Sequence, residues 1–273
     1  MKQRVISGAV CVVALAVVLC LYHTLALEAA VCALSAIAVY ELLTADGFRE
    51  HRAFLLPSVI FAGVLPYASC FNCENWVIIA FLALIVLLML AFHESVSFEK
   101  VSFLVLAALF VPISFISLLR LRNNFARDGL FYLLMVFGGA WFADTGAFFV
   151  GKFFGKHKLS PKISPKKTVE GAVGGVLTNV LLFYLMALIY AAIRRAGGIS
   201  VQVHYVQLIV LAVGLAVCGM VGDLLASVIK RQLNIKDYGK CIPGHGGIMD
   251  RFDSILFTAP AVYAATKILR ILG

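Results

Sequence analysis

The sequence predicts an all-α fold: a polytopic helical membrane protein with about nine transmembrane helices and its polar site at the cytoplasmic side. Two observations dictate this. Of 273 residues, 62% are hydrophobic and 14% charged, and the mean hydropathy is +1.00, whereas a soluble domain is about half apolar and a quarter charged. One aqueous core has no room for such a surplus. The apolar residues also fall into runs of the roughly 20 residues that a helix needs to cross hydrocarbon, not the ten-residue alternating segments of a barrel.

Nine runs qualify, at about 5–22, 24–43, 53–71, 75–92, 102–119, 129–150, 170–193, 205–229 and 254–271. The first, in "MKQRVISGAVCVVALAVVLCLYH", has the basic start and apolar stretch of a signal peptide. No small-x-small cleavage site followed by polar sequence ends it, and Leu19 before Cys20 argues against lipoprotein cleavage. It reads as an uncleaved span. The second run is interrupted near its ends by Glu28 and Glu41. The whole chain, 1–273, reads as a single integral membrane domain. Its first part, 1–128, supplies spans with little site chemistry, and 129–273 supplies the spans and loops that hold the polar residues. No internal repeat of the kind common in transporters is visible.

Orientation follows from Lys and Arg, which favour cytoplasmic loops. With nine spans and the N-terminus inside, 16 of the 23 basic residues fall on the cytoplasmic side. They include Lys2, Arg4, six lysines between Lys152 and Lys167, and five basic residues between Lys230 and Arg251. The net charge of +9 is therefore read as topology, and nucleic acid is not expected as a partner. Four of the seven cysteines, Cys11, Cys20, Cys32 and Cys218, sit in apolar runs, where they act as small hydrophobes. Cys70 and Cys73 form a lone C-x-x-C; a structural zinc site needs about four ligands, and no second pair exists.

Chemistry concentrates in residues 138–254. Asp144 lies in "FGGAWFADTGAFFVG", sharing a helical face with Ala140, Ala147 and Gly151, a face suited to close packing against other helices and away from lipid. Gly171 and Gly175 continue that device on the next span. Asp223 lies in "CGMVGDLLASVIKRQ", with Ser227 and Lys230 following at i+4 and i+7 on its own face. Asp250 and Asp253 open the last span; for Asp253, helix capping competes with chemistry. A carboxylate inside a membrane costs about 2.5–3.5 kcal/mol on insertion scales. Several at cytoplasmic helix ends suggest a hard cation on oxygen ligands, with Mg²⁺ the usual choice beside phosphate.

Two polar loops accompany the aspartates. "GKFFGKHKLSPKISPKKTVEG" interleaves six lysines with glycine and proline, so it is a structured loop entering a helix near Thr168. Thr168 caps that helix in this reading, with its dipole toward whatever the lysines bind. The competing reading is a polybasic patch on anionic headgroups. "GKFFGKH" lacks the spacing and the Ser/Thr of a Walker motif. In "KDYGKCIPGHGGIMDRFDS", His245 flanked by glycines suits phosphate contact, with backbone amides approaching closely.

The stretch "SVIKRQLNIKDYGKCIPGHGGIMDRFDS", Ser227 to Ser254, resembles the signature of the CDP-diacylglycerol synthases, or phosphatidate cytidylyltransferases. "DTGAFFVGKFFGKHKLSPKISPKKTVEG", Asp144 to Gly171, is similar to that family's other polar segment, with Phe148 where a tyrosine is common. The resemblance covers residues 138–254 strongly and the first 130 by hydropathy alone. It implies condensation of CTP with phosphatidic acid to CDP-diacylglycerol and pyrophosphate, in phospholipid biosynthesis, at the cytoplasmic face of a bacterial inner membrane. It further implies Mg²⁺, with room for a second cation, membrane lipids as partners, and a homodimer. Asp223, Lys230, Arg231 and Asp250 are then the expected catalytic residues, with Asp223, Asp250 and Asp144 as metal ligands. Substrate contacts are expected from Lys166, Lys167, Thr168, Ser227, Lys236, Asp237, His245, Gly246, Gly247, Arg251 and Asp253. Two other readings stay open on the residues: a CTP-dependent lipid kinase, and a transporter of cations or phosphorylated solutes.

Overall fold

The computed structural model describes residues 2–125 and 127–273, with side chains from residue 6 onward; the side chains of Lys2 and Arg4, counted toward orientation, lie outside the described residues. Among the described residues the elements run α1 (Lys2–Cys20), α2 (Leu25–Ala45), α3 (Arg52–Ser69), α4 (Glu74–Ala91), α5 (Phe98–Asn124), α6 (Gly129–Phe154), β1 (Lys158–Ser160), β2 (Ser164–Thr168), α7 (Val169–Ala196), α8 (Tyr205–Gln232), α9 (Met249–Phe252) and α10 (Ile255–Ile268). Seven helices, α2 to α8, are long and apolar enough to cross a membrane; Ile6–Cys20 and Ile255–Ile268 are apolar but shorter. The protein is thus a polytopic helical membrane protein, with seven such spans among the described residues; the expected count of about nine is not confirmed. Large exposed side chains such as Trp76, Leu87, Leu90, Leu177 and Val206 suit helices whose outer faces meet lipid. All seven cysteines are free thiols.

The chain folds as two compact units, Met1–Arg122 with Gln232–Phe252, and Asn123–Arg231 with Asp253–Gly273. The segment after α8, which sequence grouped with the later spans, therefore packs with the first five helices.

In the first unit, α3 meets α4 through the stacked rings of Phe61 and Phe81, 3.9 Å between centroids. The two glutamates of α2 are both buried. Glu28 accepts a 2.6 Å bond from Arg122 of α5, whose guanidinium also donates to the Tyr22 and Thr24 carbonyls. A buried carboxylate with a bidentate-capable cation beside it is tolerated where a lone one is not. That pairing explains how α2 tolerates Glu28 among its apolar residues.

In the second unit, α6 and α7 run antiparallel with their backbones nearly touching. A Cβ on Gly171 would lie 2.8 Å from the Ala147 carbonyl oxygen, and one on Gly175 2.6 Å from that of Ala143. Without interhelical hydrophobic drive in lipid, such small-residue contact is what holds helices together. Buried polar groups add to it: Asn179 of α7 donates to the Ala212 carbonyl of α8 at 2.7 Å, and Thr258 of α10 to the Val136 carbonyl of α6 at 3.1 Å. The α6–α7 connection is a small antiparallel hairpin, β1–β2, with Lys158 opposite Thr168 and Ser160 opposite Ser164.

Candidate active site

Within the second unit, Asp144 directly follows Ala143 and lies three residues before Ala147, two alanines whose carbonyls meet the backbone of α7. It lines a cavity of about 330 Å³ with Lys152, Lys166, Lys167, Thr168 and Met220. Lys167, at the end of β2, forms an ion pair with Asp223 of α8. Asp144 lies within electrostatic range of both Asp223 and Lys167. Three predicted site residues from three elements thus meet, and a lysine offsets part of the repulsion between two carboxylates.

Thr168 is the N-cap of α7: its backbone is extended and its Oγ1 accepts from the Gly171 amide at 3.1 Å. The predicted cap is present. The hydroxyl is buried and packed, since a Cβ on Gly151 would come within 2.9 Å of it. Sequence reasoning passed over Glu170. Its carboxylate accepts from the Lys156 and His157 amides at 3.1 and 3.2 Å and pairs with His157 Nδ1 at 2.6 Å. An acidic side chain in the first turn of a helix also meets the positive end of its dipole. Glu170 therefore pins the start of the hairpin to the start of α7.

Ser227 and Lys230 follow Asp223 on α8, both half-buried, and Arg231 is exposed. Asp253 is buried. Its Oδ1 accepts from the Ser254 amide at 2.7 Å, and its backbone crowds Gly222 of α8, where a Cβ would lie 2.8 Å from the Asp253 carbonyl oxygen. Asp253 precedes the last apolar helix. Burial first, and then the negative charge of Asp223, push its carboxyl up to about 7, with Lys230 opposing.

The first unit holds the other half of the predicted residues in the loop from Lys236 to Arg251. Asp250 Oδ2 accepts from the amides of Tyr238 and Gly247, at 2.8 and 3.0 Å, drawing the loop closed. Ile242 and Gly246 pair as an isolated antiparallel bridge. Gly246 has φ +86°, a conformation glycine adopts without steric cost, and a Cβ there would sit 2.9 Å from Asp250 Oδ2. Arg251 folds back, its Nε and Nη2 donating to the His245 carbonyl at 2.9 and 2.7 Å. His245 Nδ1 lies 2.8 Å from Ser7 Oγ, which itself donates to the Pro243 carbonyl at 2.9 Å. With the Ser7 proton on Pro243, the ring Nδ1–H donates to Ser7 Oγ. Lys236 and Asp237 are exposed.

The first helices, expected to hold little chemistry, also reach this loop. Glu41 of α2, 4% exposed, accepts from the Met249 amide at 2.9 Å. Its place inside an apolar run was the one signal available in the sequence. Among the described residues, no three His, Cys, Asp or Glu side chains converge with metal-ligating geometry. The carboxylates brought together are Asp144 and Asp223, with Asp253 in range of both.

Comparison with known proteins agrees with the polar segments. The cytidylyltransferase family model matches residues 2–269. The chain is 32% identical over 273 residues to the phosphatidate cytidylyltransferase of Bacillus subtilis (strain 168), covering 96% of both chains. It is 32% identical over 164 residues to the Staphylococcus saprophyticus protein of that name, covering 60% of this chain and 58% of the relative. The Staphylococcus aureus (strain COL) protein gives the same figures. A match over essentially the whole length, with the charged segments standing in built structure, establishes that this chain belongs to the cytidylyltransferase family.

Proposed function

We propose that this protein condenses CTP with phosphatidic acid, forming CDP-diacylglycerol and pyrophosphate, at the cytoplasmic face of a bacterial inner membrane. The observation behind this reading is the cavity that Asp144 lines with Lys152, Lys166 and Lys167, the last of which is paired with Asp223. A cavity that mixes carboxylates with ammonium groups is suited to a polyphosphate and its cation.

In the reaction, an oxygen of the phosphatidate monoester attacks the α-phosphorus of CTP. The bond from that phosphorus to the bridging oxygen breaks, and pyrophosphate leaves with the electron pair. The nucleophile is already anionic near neutral pH, so a dedicated base adds little. Positioning and charge neutralisation do most of the catalysis. Lys166 and Lys152 neutralise phosphate oxygens, and Lys167 exchanges its hold on Asp223 for one on substrate. The α7 N-terminus, capped by Thr168, directs its dipole toward the same anions. Lys230 and Arg231 extend the positive charge along α8. In the other unit, Lys236, His245 and Arg251 are the phosphate-binding groups of this proposal, and Asp250 holds their loop in shape.

Mg²⁺ fits the residues present. It is commonly held by one or two carboxylates, with waters and substrate phosphates completing its octahedron, and Asp144 with Asp223 offers such a pair. When bound there it supplies charge neutralisation at the phosphates.

Purified protein given CTP and phosphatidic acid should form CDP-diacylglycerol with Mg²⁺ and stop when EDTA removes it. Turnover undiminished by EDTA would sink the metal assignment. CDP released in place of pyrophosphate would instead mark a lipid kinase.

A further inference from the structure

Glu41 stands outside the residues that sequence marks for chemistry, yet the Lys236–Arg251 loop is built around it. It sits near the end of α2, 4% exposed, where a carboxylate is costly unless it is compensated. Oε2 accepts from the Met249 amide at 2.9 Å, one residue before Asp250, while Oε1 has no hydrogen-bond donor among the described residues. Two glycines lie against the same carboxylate. A Cβ added to Gly239 would come within 2.8 Å of Glu41 Cγ and closer still to its carboxyl group, and one on Gly247 would collide with that group as well. Neither glycine has a positive φ, so these two positions need glycine for space rather than for backbone conformation. The neighbouring amides of Tyr238 and Gly247 are those that Asp250 binds. Glu41 and Asp250 therefore hold the loop together, one through Met249 and the other through Tyr238 and Gly247.

We propose that Glu41 is a positioning residue for the reaction. Seated against Gly239 and Gly247 and bonded to the Met249 amide, it fixes the loop that presents Asp237, His245 and Asp250. A membrane helix with no residue of its own in the reaction thereby sets the geometry of a substrate-binding loop. The proposal rests on the cytidylyltransferase reading given above.

The test is steady-state kinetics on purified full-length variants, with the folded fraction measured by size exclusion and thermal melting in detergent. Glu41→Gln retains an oxygen acceptor for Met249 and should keep kcat within about threefold of the unsubstituted protein. Glu41→Ala loses it, and kcat per folded molecule should fall by about tenfold or more, a loss worth roughly 1.4 kcal/mol. Gly239→Ala pushes against Glu41 and should be impaired by itself. The Glu41→Ala/Gly239→Ala pair should be no worse than Glu41→Ala alone, because the clash is gone. If Glu41→Ala fails to fold, Glu41→Gln and Gly239→Ala still decide the matter. Full kcat in Gly239→Ala, equal damage from Gln and Ala, or a Glu41→Ala protein that melts lower but turns over normally per folded molecule would each overturn the assignment. Absence of CTP- and phosphatidate-dependent turnover in the unsubstituted protein would overturn the underlying function instead.

Discussion

Asp223 is held in a membrane helix by its neighbours: Lys167 in ion pair, and Gly222 and Gly219, which let other backbones come close. Removing its charge removes a proposed ligand and strands Lys167. Asp223→Asn should reduce turnover by about a hundredfold or more at saturating Mg²⁺, while the protein still inserts; near-normal turnover would take Asp223 out of the metal site. The lysines of the hairpin are unequal for the same geometric reason. Lys167 is half-buried against Asp223, whereas Lys156 is exposed and meets Glu170 through its backbone amide. Lys167→Ala should raise the KM for CTP or lower kcat by about tenfold, and Lys156→Ala by less than about twofold. The contrast should persist in neutral detergent. A polybasic patch would instead give equal, small effects, because its pull of about 1 kcal/mol per charge needs an anionic surface.

The β1–β2 hairpin is too short to be stable alone. It depends on α7, through the Thr168 cap and the Glu170 clamp on Lys156 and His157. Thr168→Ala should cost about 1 kcal/mol, read as a lower melting temperature, and should raise the KM for CTP by loosening the strand that bears Lys166 and Lys167. Thr168→Ser should restore both; a failure to restore would mean that the methyl group, not the cap, matters. The same dependence explains what could be read beforehand. Long helices announce themselves because hydrocarbon demands roughly 20 apolar residues in a row, so α2 to α8 lie close to the predicted runs. The strands "KLS" and "SPKKT" hold no β-branched residue before Thr168 and one proline, so propensity does not announce them; the tether between α6 and α7 imposes the pairing. Asp144, Asp223 and Thr168 were legible as charge or cap in an apolar setting. Glu170 was not, and Glu41 showed only as a charge in an apolar run, because what each does depends on partners 13 and 208 positions away. No local pattern encodes such a distance.

Orientation in the membrane rests on the distribution of basic residues, and native cysteines can test it. Cys73, between α3 and α4, and Cys241, after α8, are both exposed. In variants retaining one cysteine each, an impermeant maleimide should label Cys73 only from outside the cell and Cys241 only from the cytoplasmic side. Labelling of Cys241 from outside would invert the topology and remove the site from cytosolic CTP. The central claim is transfer of the α-phosphoryl unit of CTP to a phosphatidate oxygen, and the fate of labelled phosphate tests it most directly. Purified protein would be given phosphatidic acid, Mg²⁺ and CTP labelled at either the α- or the γ-phosphate. The account predicts that the α-label enters the lipid fraction as CDP-diacylglycerol, and that the γ-label is recovered wholly in pyrophosphate. A γ-label in the lipid, or no label transferred at all by folded protein, would contradict it.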